Sequence, residues 1–162
     1  MHVPPVIVNN TPLVALWVLN RLDLFRDLYG VVWIPEAVAR EFLAAETGTR
    51  HPALLQSPWI QVVRLSNPRF ALTYVGLDRG EAEVLALAVE HNARLVVIDE
   101  RKGRRYAQRL GLALTGTLGI LLLAKQEGLI PTVAPLVKQL EEAGLHLSAD
   151  LVQRVLNLAK EV

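Results

Sequence analysis

The chain has 162 residues, of which 52% are hydrophobic and 20% are charged, and its formal net charge is +1. This length suits one domain with a substantial core, and the small net charge gives no general argument for nucleic-acid binding. The absence of cysteine excludes disulfides, thiol nucleophiles and thiolate metal sites.

Short apolar runs alternate with helical patterns along the chain, an order typical of βαβ units. The predicted strands are Val6–Asn9, Val31–Ile34, Trp59–Leu65, Arg94–Ile98 and Leu112–Leu114. The predicted helices are Pro12–Leu19, Arg21–Leu28, Pro35–Ala45, Gly80–Asn92, Arg101–Leu110, Gly119–Glu127, Pro131–Gly144 and Ala149–Glu161. We expect a three-layer α/β/α fold with a central parallel sheet, in one domain spanning residues 1–162.

Local signals place several of these boundaries. Pro12 suits the first helical position with Thr11 before it as the cap, and Gly30 is a natural left-handed helix stop. The polar segment Thr47–Ser57 leaves room for a short helix, and Asn67–Gly76 is predicted to be a loop.

Nothing in the sequence predicts a membrane segment. Met1–Pro5 lacks the basic and apolar parts of a secretory signal, and the apolar run Ile120–Ala124 is far too short to cross a bilayer. We therefore expect a cytoplasmic protein. The high apolar content favours a surface buried against a partner, most simply a second copy of the chain.

Four side chains with oxygen ligands fall where a strand ends or a helix begins: Asn9, Glu41, Glu81 and Asp99. The carboxyl ends of parallel strands share one edge of a sheet, so these side chains are expected to converge. Clustered carboxylates repel each other, and a divalent cation relieves that repulsion. The arrangement predicts a metal site suited to phosphodiester hydrolysis, with Glu41, Glu81 and Asp99 as the catalytic acids.

Each of the four has an ordinary alternative that the sequence leaves open. Asn9 could form an Asx-turn or a helix cap, and Glu41 could be solvated, although the small Ala37 one turn earlier leaves room for an inward carboxylate. Glu81 could complete a capping box with Asp78, and Asp99 could cap the following helix.

Glu81 is preferred to Glu83 as the metal ligand. The face that carries Glu81 continues through Leu85 and Ala88 beside the core, whereas Glu83 is expected nearer Leu87 and Glu90.

A basic cluster follows the proposed metal site: Arg101, Lys102, Arg104, Arg105 and Arg109. Arg101, Arg105 and Arg109 repeat every four residues and form a stripe suited to a phosphate backbone. A solvated helix face paired with acids is the alternative. Thr115 and Thr117 precede the next helix, where they could contact a phosphate or simply cap the helix.

Four segments together resemble the PIN-domain family of metal-dependent ribonucleases, which includes the toxins of many prokaryotic toxin–antitoxin pairs. They are Asn9–Leu13, Ile34–Val38, Gly80–Glu83, and Gly116–Gly119 with Ala124 and Lys125. The resemblance runs from Val6 to about Gly128. Within the family, the chain looks most like a prokaryotic subgroup with Gly-Glu-Ala-Glu and Gly-Thr-Leu-Gly segments.

The resemblance implies Mg²⁺ or Mn²⁺ as the cofactor and single-stranded RNA as the substrate. Carried over by position, the family's acidic residues fall on Asn9, Glu41, Glu81 and Asp99 as metal ligands. The residues expected to bind the RNA are Thr11, Arg101, Arg104, Arg105 and Thr117. A homodimer and an antitoxin protein are the expected protein partners.

Asn9 departs from the family pattern, because the usual residue there is Asp. The loss of one negative charge is expected to weaken metal binding, so a catalytically weak or inactive RNA-binding or protein-interaction module is the alternative to a ribonuclease. A Rossmann-like nucleotide binder is excluded by the lack of a GxGxxG motif after the first strand.

Overall fold

The computed structural model describes residues 3–45 and 48–162. Its centre is a five-stranded sheet in the order β3-β2-β1-β4-β5, and every pair of neighbours is parallel. The strands are β1 Val6–Val8, β2 Val32–Pro35, β3 Ile60–Val63, β4 Leu95–Val97 and β5 Leu114–Thr115.

Helices cover the sheet and confirm the predicted three-layer α/β/α architecture. They are α1 Asn10–Val18, α2 Asp23–Tyr29, α3 Glu36–Ala44, α4 Arg50–Leu55, α5 Arg79–His91, α6 Arg101–Arg109, α7 Thr117–Gln126, α8 Ala134–Glu142 and α9 Ala149–Leu158. None of the helices in residues 3–45 and 48–162 combines the length and the apolar content that a bilayer crossing requires.

The core includes the central strands together with buried side chains of α1, α2, α3, α5 and α7. All three residues of β1 are buried, as expected for a strand covered on both faces. Residues 80–88 of α5 are also buried without interruption, although Glu81 and Glu83 are among them. The central helix thus carries two carboxylates into the interior, and a buried carboxylate needs partners to offset its lost hydration.

Several predicted boundaries are wrong by a few residues. The first helix begins at Asn10 with Asn9 in the cap position, so Thr11 is not its cap. The predicted loop Asn67–Gly76 contains a 3₁₀ helix over Pro68–Thr73, and the last strand begins at Leu114. Of the polar segment, Thr47 lies outside the described residues.

The C-terminal helices pack onto the rest of the chain. Val133, Leu140 and Val155 are buried, whereas Leu151 and Leu158 on α9 remain exposed. The two C-terminal helices therefore cover the core through part of their apolar side chains, and the two leucines stay in contact with solvent.

Candidate metal centre and nucleic-acid interface

The candidate site lies where the order of the strands reverses direction. The chain passes from β1 to β2 and β3 on one side and later to β4 and β5 on the other. In open parallel sheets ligands bind at the carboxyl end of this switch point. The backbone N–H of Asn9 donates to the carbonyl of Val97 at 2.9 Å, which joins the ends of β1 and β4 there.

The Asn9 side chain is buried at this point without a hydrogen-bond partner. It is 5% exposed, and its Oδ1 finds no donor among the described residues. Asn9 occupies the cap position of α1, but its side chain makes no cap hydrogen bond. A buried acceptor without a donor is costly, so this oxygen suits a water molecule or a hard cation.

Glu81 is the centre of a group of acids at the start of α5. Burial is the main cause that raises its pKa, to about 9, and the neighbouring Asp78 and Glu100 add to the rise through hydrogen bonding and charge repulsion. Asp78 also caps α5 by accepting the backbone N–H of Glu81 at 2.8 Å, as predicted. The raised pKa of Glu81 favours the protonated form of its carboxyl when no cation is bound.

Glu41 reaches this group from α3, but its side chain is more exposed than the sequence predicts. Its Oε2 would lie 2.9 Å from a Cβ at position 80, so Gly80 gives α5 room beside this carboxylate. Burial and then the charge of Asp78 raise the pKa of Glu41, and the Asn10 side chain partly offsets that rise. Glu41, Asp78, Glu81 and Glu100 are named the acidic group below.

Asp99 follows β4 and is fixed by the first turn of α7. Its Oδ1 accepts the backbone N–H of Thr117 at 2.8 Å, and its Oδ2 accepts the Thr117 hydroxyl at 2.6 Å. A side chain at position 116 would collide with the Asp99 carboxylate, so Gly116 is required there. The alternative that Asp99 caps α6 is wrong, because Glu100 occupies that cap and accepts from Gly103 N–H at 2.8 Å.

Thr117 does not have the exposed position expected of an RNA contact. It is 1% exposed and its hydroxyl donates to Asp99, so in this arrangement it positions the carboxylate instead of facing the solvent. Thr11 is exposed on the first turn of α1, where a substrate can reach it.

The acidic side chains do not form a complete metal site in the described residues. Within residues 3–45 and 48–162, no group of three or more acidic or histidine side chains is arranged to hold an ion. The oxygen donors nevertheless fit Mg²⁺ or Mn²⁺, because Mg²⁺ commonly uses one or two carboxylates and keeps several waters. The unpartnered Asn9 Oδ1 and the forced proximity of the acids both favour such an ion.

Glu83 has a structural role that its contacts define. Its carboxylate accepts the backbone N–H of Ala37 at 3.1 Å and pairs with Arg79 at 2.8 Å. Glu83 therefore contacts α3 instead of lying toward Glu90 as the sequence predicts, and the preference for Glu81 as the metal ligand stays a prediction.

A basic groove adjoins Asp99. Arg101, Arg104 and Arg105 line it, and Arg104 is oriented by a hydrogen bond of 2.8 Å to the carbonyl of Ile98. Arg109 does not line this groove, and its guanidinium lies 5.9 Å from the Tyr106 ring centroid. The predicted stripe of three arginines therefore divides between two surfaces.

Sequence reasoning missed a second basic groove at the carboxyl end of β2. Arg40, Arg64 and Arg79 line it together with Glu36 and Glu83. The three arginines come from three separate segments, so no local run of charge pointed to them.

A sequence model described as the PIN domain matches residues 5–161 of the chain, including α8 and α9. A search of proteins with curated descriptions found no match.

Proposed function

This chain belongs to the PIN-domain family, and we propose that it is a metal-dependent endoribonuclease that hydrolyses phosphodiester bonds of single-stranded RNA. Membership of the family indicates a nuclease-type function in general terms. The observation that supports the finer proposal is the acidic group at the switch point, where burial and neighbouring acids raise the pKa of Glu81 to about 9. A cation relieves such crowding, and a basic groove lies beside it.

Asn9, Glu41, Glu81 and Asp99 would hold the Mg²⁺ or Mn²⁺ ion in this proposal. When bound, the ion would stabilise negative charge that develops on the phosphate during hydrolysis. Glu81 must lose its proton to serve as a ligand, so ion binding releases a proton.

The remaining side chains bind and orient the substrate. Arg101 and Arg105 are exposed beside Asp99, where they can pair with the phosphate backbone of RNA. Thr117 keeps the Asp99 carboxylate in one orientation through two hydrogen bonds. Thr11, exposed at the start of α1, is the proposed contact on the other side.

A cleavage assay on single-stranded RNA with Mn²⁺, Mg²⁺ or EDTA tests this proposal. We expect cleavage with either metal and none with EDTA. Asp99→Asn should abolish cleavage while RNA binding, measured by fluorescence anisotropy, persists. Asp27→Asn, which changes an exposed carboxylate on α2, is the matched control and should cleave like the wild type. Equal cleavage by Asp99→Asn and Asp27→Asn would refute the catalytic role of Asp99.

The alternative function is a catalytically weak or inactive module that binds RNA or protein. Two observations favour it: Asn9 stands where the family usually has Asp, and no three acids in the described part of the chain are arranged to hold an ion. RNA binding without cleavage at any metal concentration would select this alternative.

We also propose a homodimer, and an antitoxin protein as a further partner in the cytoplasm. Phe70, Leu72 and Val75 support a protein interface, because they are 57%, 69% and 78% exposed within one short segment. Exposed apolar side chains concentrated in this way are typical of interaction surfaces.

A further inference from the structure

The groove beside Asp99 also has an apolar wall, which has no role in the proposed cleavage reaction. Its volume is about 510 Å³, within the roughly 300–1,000 Å³ range of small-molecule pockets. One wall carries Arg101, Arg104 and Arg105 of α6. The groove is also lined by leucine and valine side chains of β5, α7 and α9, namely Leu114, Leu118, Leu151 and Val155.

The apolar wall includes one side chain that the rest of the chain leaves partly exposed. Leu118 and Val155 are buried and belong to the core, but Leu151 is 44% exposed and still lines the groove. Two neutral polar residues, Gln108 and Ser148, also line the groove. A ligand that covers Leu151 would therefore meet apolar surface, hydrogen-bonding groups and positive charge together.

We propose that this groove is a nucleotide subsite, in which one nucleotide of the RNA next to the cleaved phosphate is bound. This inference rests on the proposed ribonuclease function. The arginines bind the phosphate of the nucleotide, and its base covers the apolar surface of Leu151 and Leu114. Gln108 and Ser148 can hydrogen-bond the edge of the base and give the cleavage site a base preference.

The fold holds α9 in place for this role. Lys125, near the end of α7, donates to the carbonyl of Ala159, which directly follows α9. Because Asp99 is bound to the first residue of α7, the same helix connects the carboxylate with the α9 wall. The C-terminal helix therefore belongs to the substrate site and is not only a cover for the core.

The test compares two leucines on the same helix. Leu151→Asp places a negative charge in the groove, whereas Leu158→Asp makes the same change at a leucine that is 66% exposed and does not line it. Affinity for a labelled tetraribonucleotide is measured in EDTA, so that no cleavage interferes. Thermal melting followed by circular dichroism checks that each variant folds. Leu151→Ala and Leu158→Ala repeat the comparison with a smaller change that adds no charge.

We expect Leu151→Asp to weaken tetranucleotide binding about tenfold, which equals about 1.4 kcal/mol, and Leu158→Asp to bind like the wild type. Mapping of the cleaved positions in a mixed-sequence RNA should show a base preference that Leu151→Ala changes and Leu158→Ala does not.

Other results would overturn the subsite. Unchanged RNA binding by Leu151→Asp, with cleavage retained in Leu151→Ala, would remove the subsite while leaving the ribonuclease proposal intact. If Leu151→Asp binds RNA normally but no longer self-associates in sedimentation, the groove would be a contact with a second copy of the chain. Equal weakening by both aspartate variants would also contradict a specific role for Leu151. Wild-type protein that neither binds nor cleaves RNA would instead refute the proposed function.

Discussion

At the scale of single residues, the site depends on carboxylates whose surroundings differ sharply. Glu81 is buried among acids and keeps its proton to an unusually high pH, because its pKa is about 9. Asp99 instead accepts two hydrogen bonds from Thr117. Asn9 contributes a buried oxygen that lacks a donor in the described part of the chain. These differences suggest that ion binding changes the protonation of Glu81 while Asp99 is oriented in advance.

The Glu81 carboxyl should make stability in EDTA depend on pH. Its folded pKa lies above the ordinary value of 4.5, so its stabilising contribution is complete below about pH 4.5 and is lost as the pH rises toward about 9. Glu81→Gln should therefore remove part of the decrease in the free energy of unfolding between pH 5 and pH 9, measured by urea titration. The control Glu142→Gln, at an exposed position on α8, should keep the wild-type slope. Identical slopes for all three proteins would contradict the buried, protonated state of Glu81.

Asn9→Asp should increase metal affinity, because it adds a negative charge to the proposed ligand set. We expect Mn²⁺ binding to tighten about tenfold in calorimetry, and the melting temperature in EDTA to fall because the acids repel each other more strongly. Asn157→Asp, at an exposed position on α9, should change neither quantity. An unchanged Mn²⁺ titration for Asn9→Asp would show that position 9 is not a ligand.

At the scale of secondary-structure elements, side chains from distant segments bind polar groups at the ends of helices and so connect those helices. Glu161 accepts the N–H groups of Val133 and Ala134 at 2.7 and 2.8 Å, just before and at the start of α8. The same carboxylate pairs with Lys125 of α7 at 2.9 Å. Burial opposes ionisation of Glu161, but these hydrogen bonds together lower its pKa. One carboxylate thus connects three helices, including the one proposed to line the nucleotide subsite.

Glu161→Gln should destabilise the protein by about 1–3 kcal/mol, because N–H groups of α8 and the Lys125 ammonium lose an ionised acceptor. The folded pKa of Glu161 is lowered, so its contribution is present above the ordinary pKa of 4.5 and is lost as the pH falls below that value. Urea unfolding at pH 7 and pH 3 should therefore show a difference between wild type and variant that shrinks at pH 3. Glu141→Gln on the exposed side of α8 is the control. A difference that stays constant with pH would argue against the ionised bridge.

At the scale of the whole molecule, the parallel sheet brings the acidic group and the basic groove to one edge. Arg101, Arg104 and Arg105 supply local positive charge in a chain whose formal net charge is only +1. RNA binding should therefore depend on where an arginine lies and not on total charge.

Arg105→Gln should weaken RNA binding and reduce the salt dependence of that binding, because one phosphate contact is lost. The slope of log affinity against log salt should become shallower by about 0.7, the value for one contact to a single strand. Arg94→Gln removes the same charge at the opposite, amino-terminal edge of the sheet, where Arg94 bonds the Tyr29 carbonyl. Anisotropy titrations at several salt concentrations should separate the two variants. Equal slopes for Arg105→Gln and wild type would exclude a backbone contact by Arg105.

Much of the fold could be predicted from the sequence because its signals are local. Apolar runs predicted the strands, and Asp78 three residues before Glu81 predicted the cap that the structure confirms. Predictions failed where a polar group forms its hydrogen bond with a residue distant in sequence and not with a neighbour in its own segment. The N–H of Asn9 bonds Val97 of another strand, and Asp99 bonds Thr117 instead of capping its own helix.

The sequence by itself determined the order of strands and helices and the approximate edge where the acids lie, because periodicity and strand ends are properties of short segments. Only the tertiary structure decided which acids touch, since those contacts depend on how α3, α5 and α7 pack. It showed that Asp78 and Glu100 join Glu81, that Glu41 is partly in solvent, and that α9 completes a groove beside Asp99. Burial and charge repulsion act through space, and sequence separation does not limit either of them.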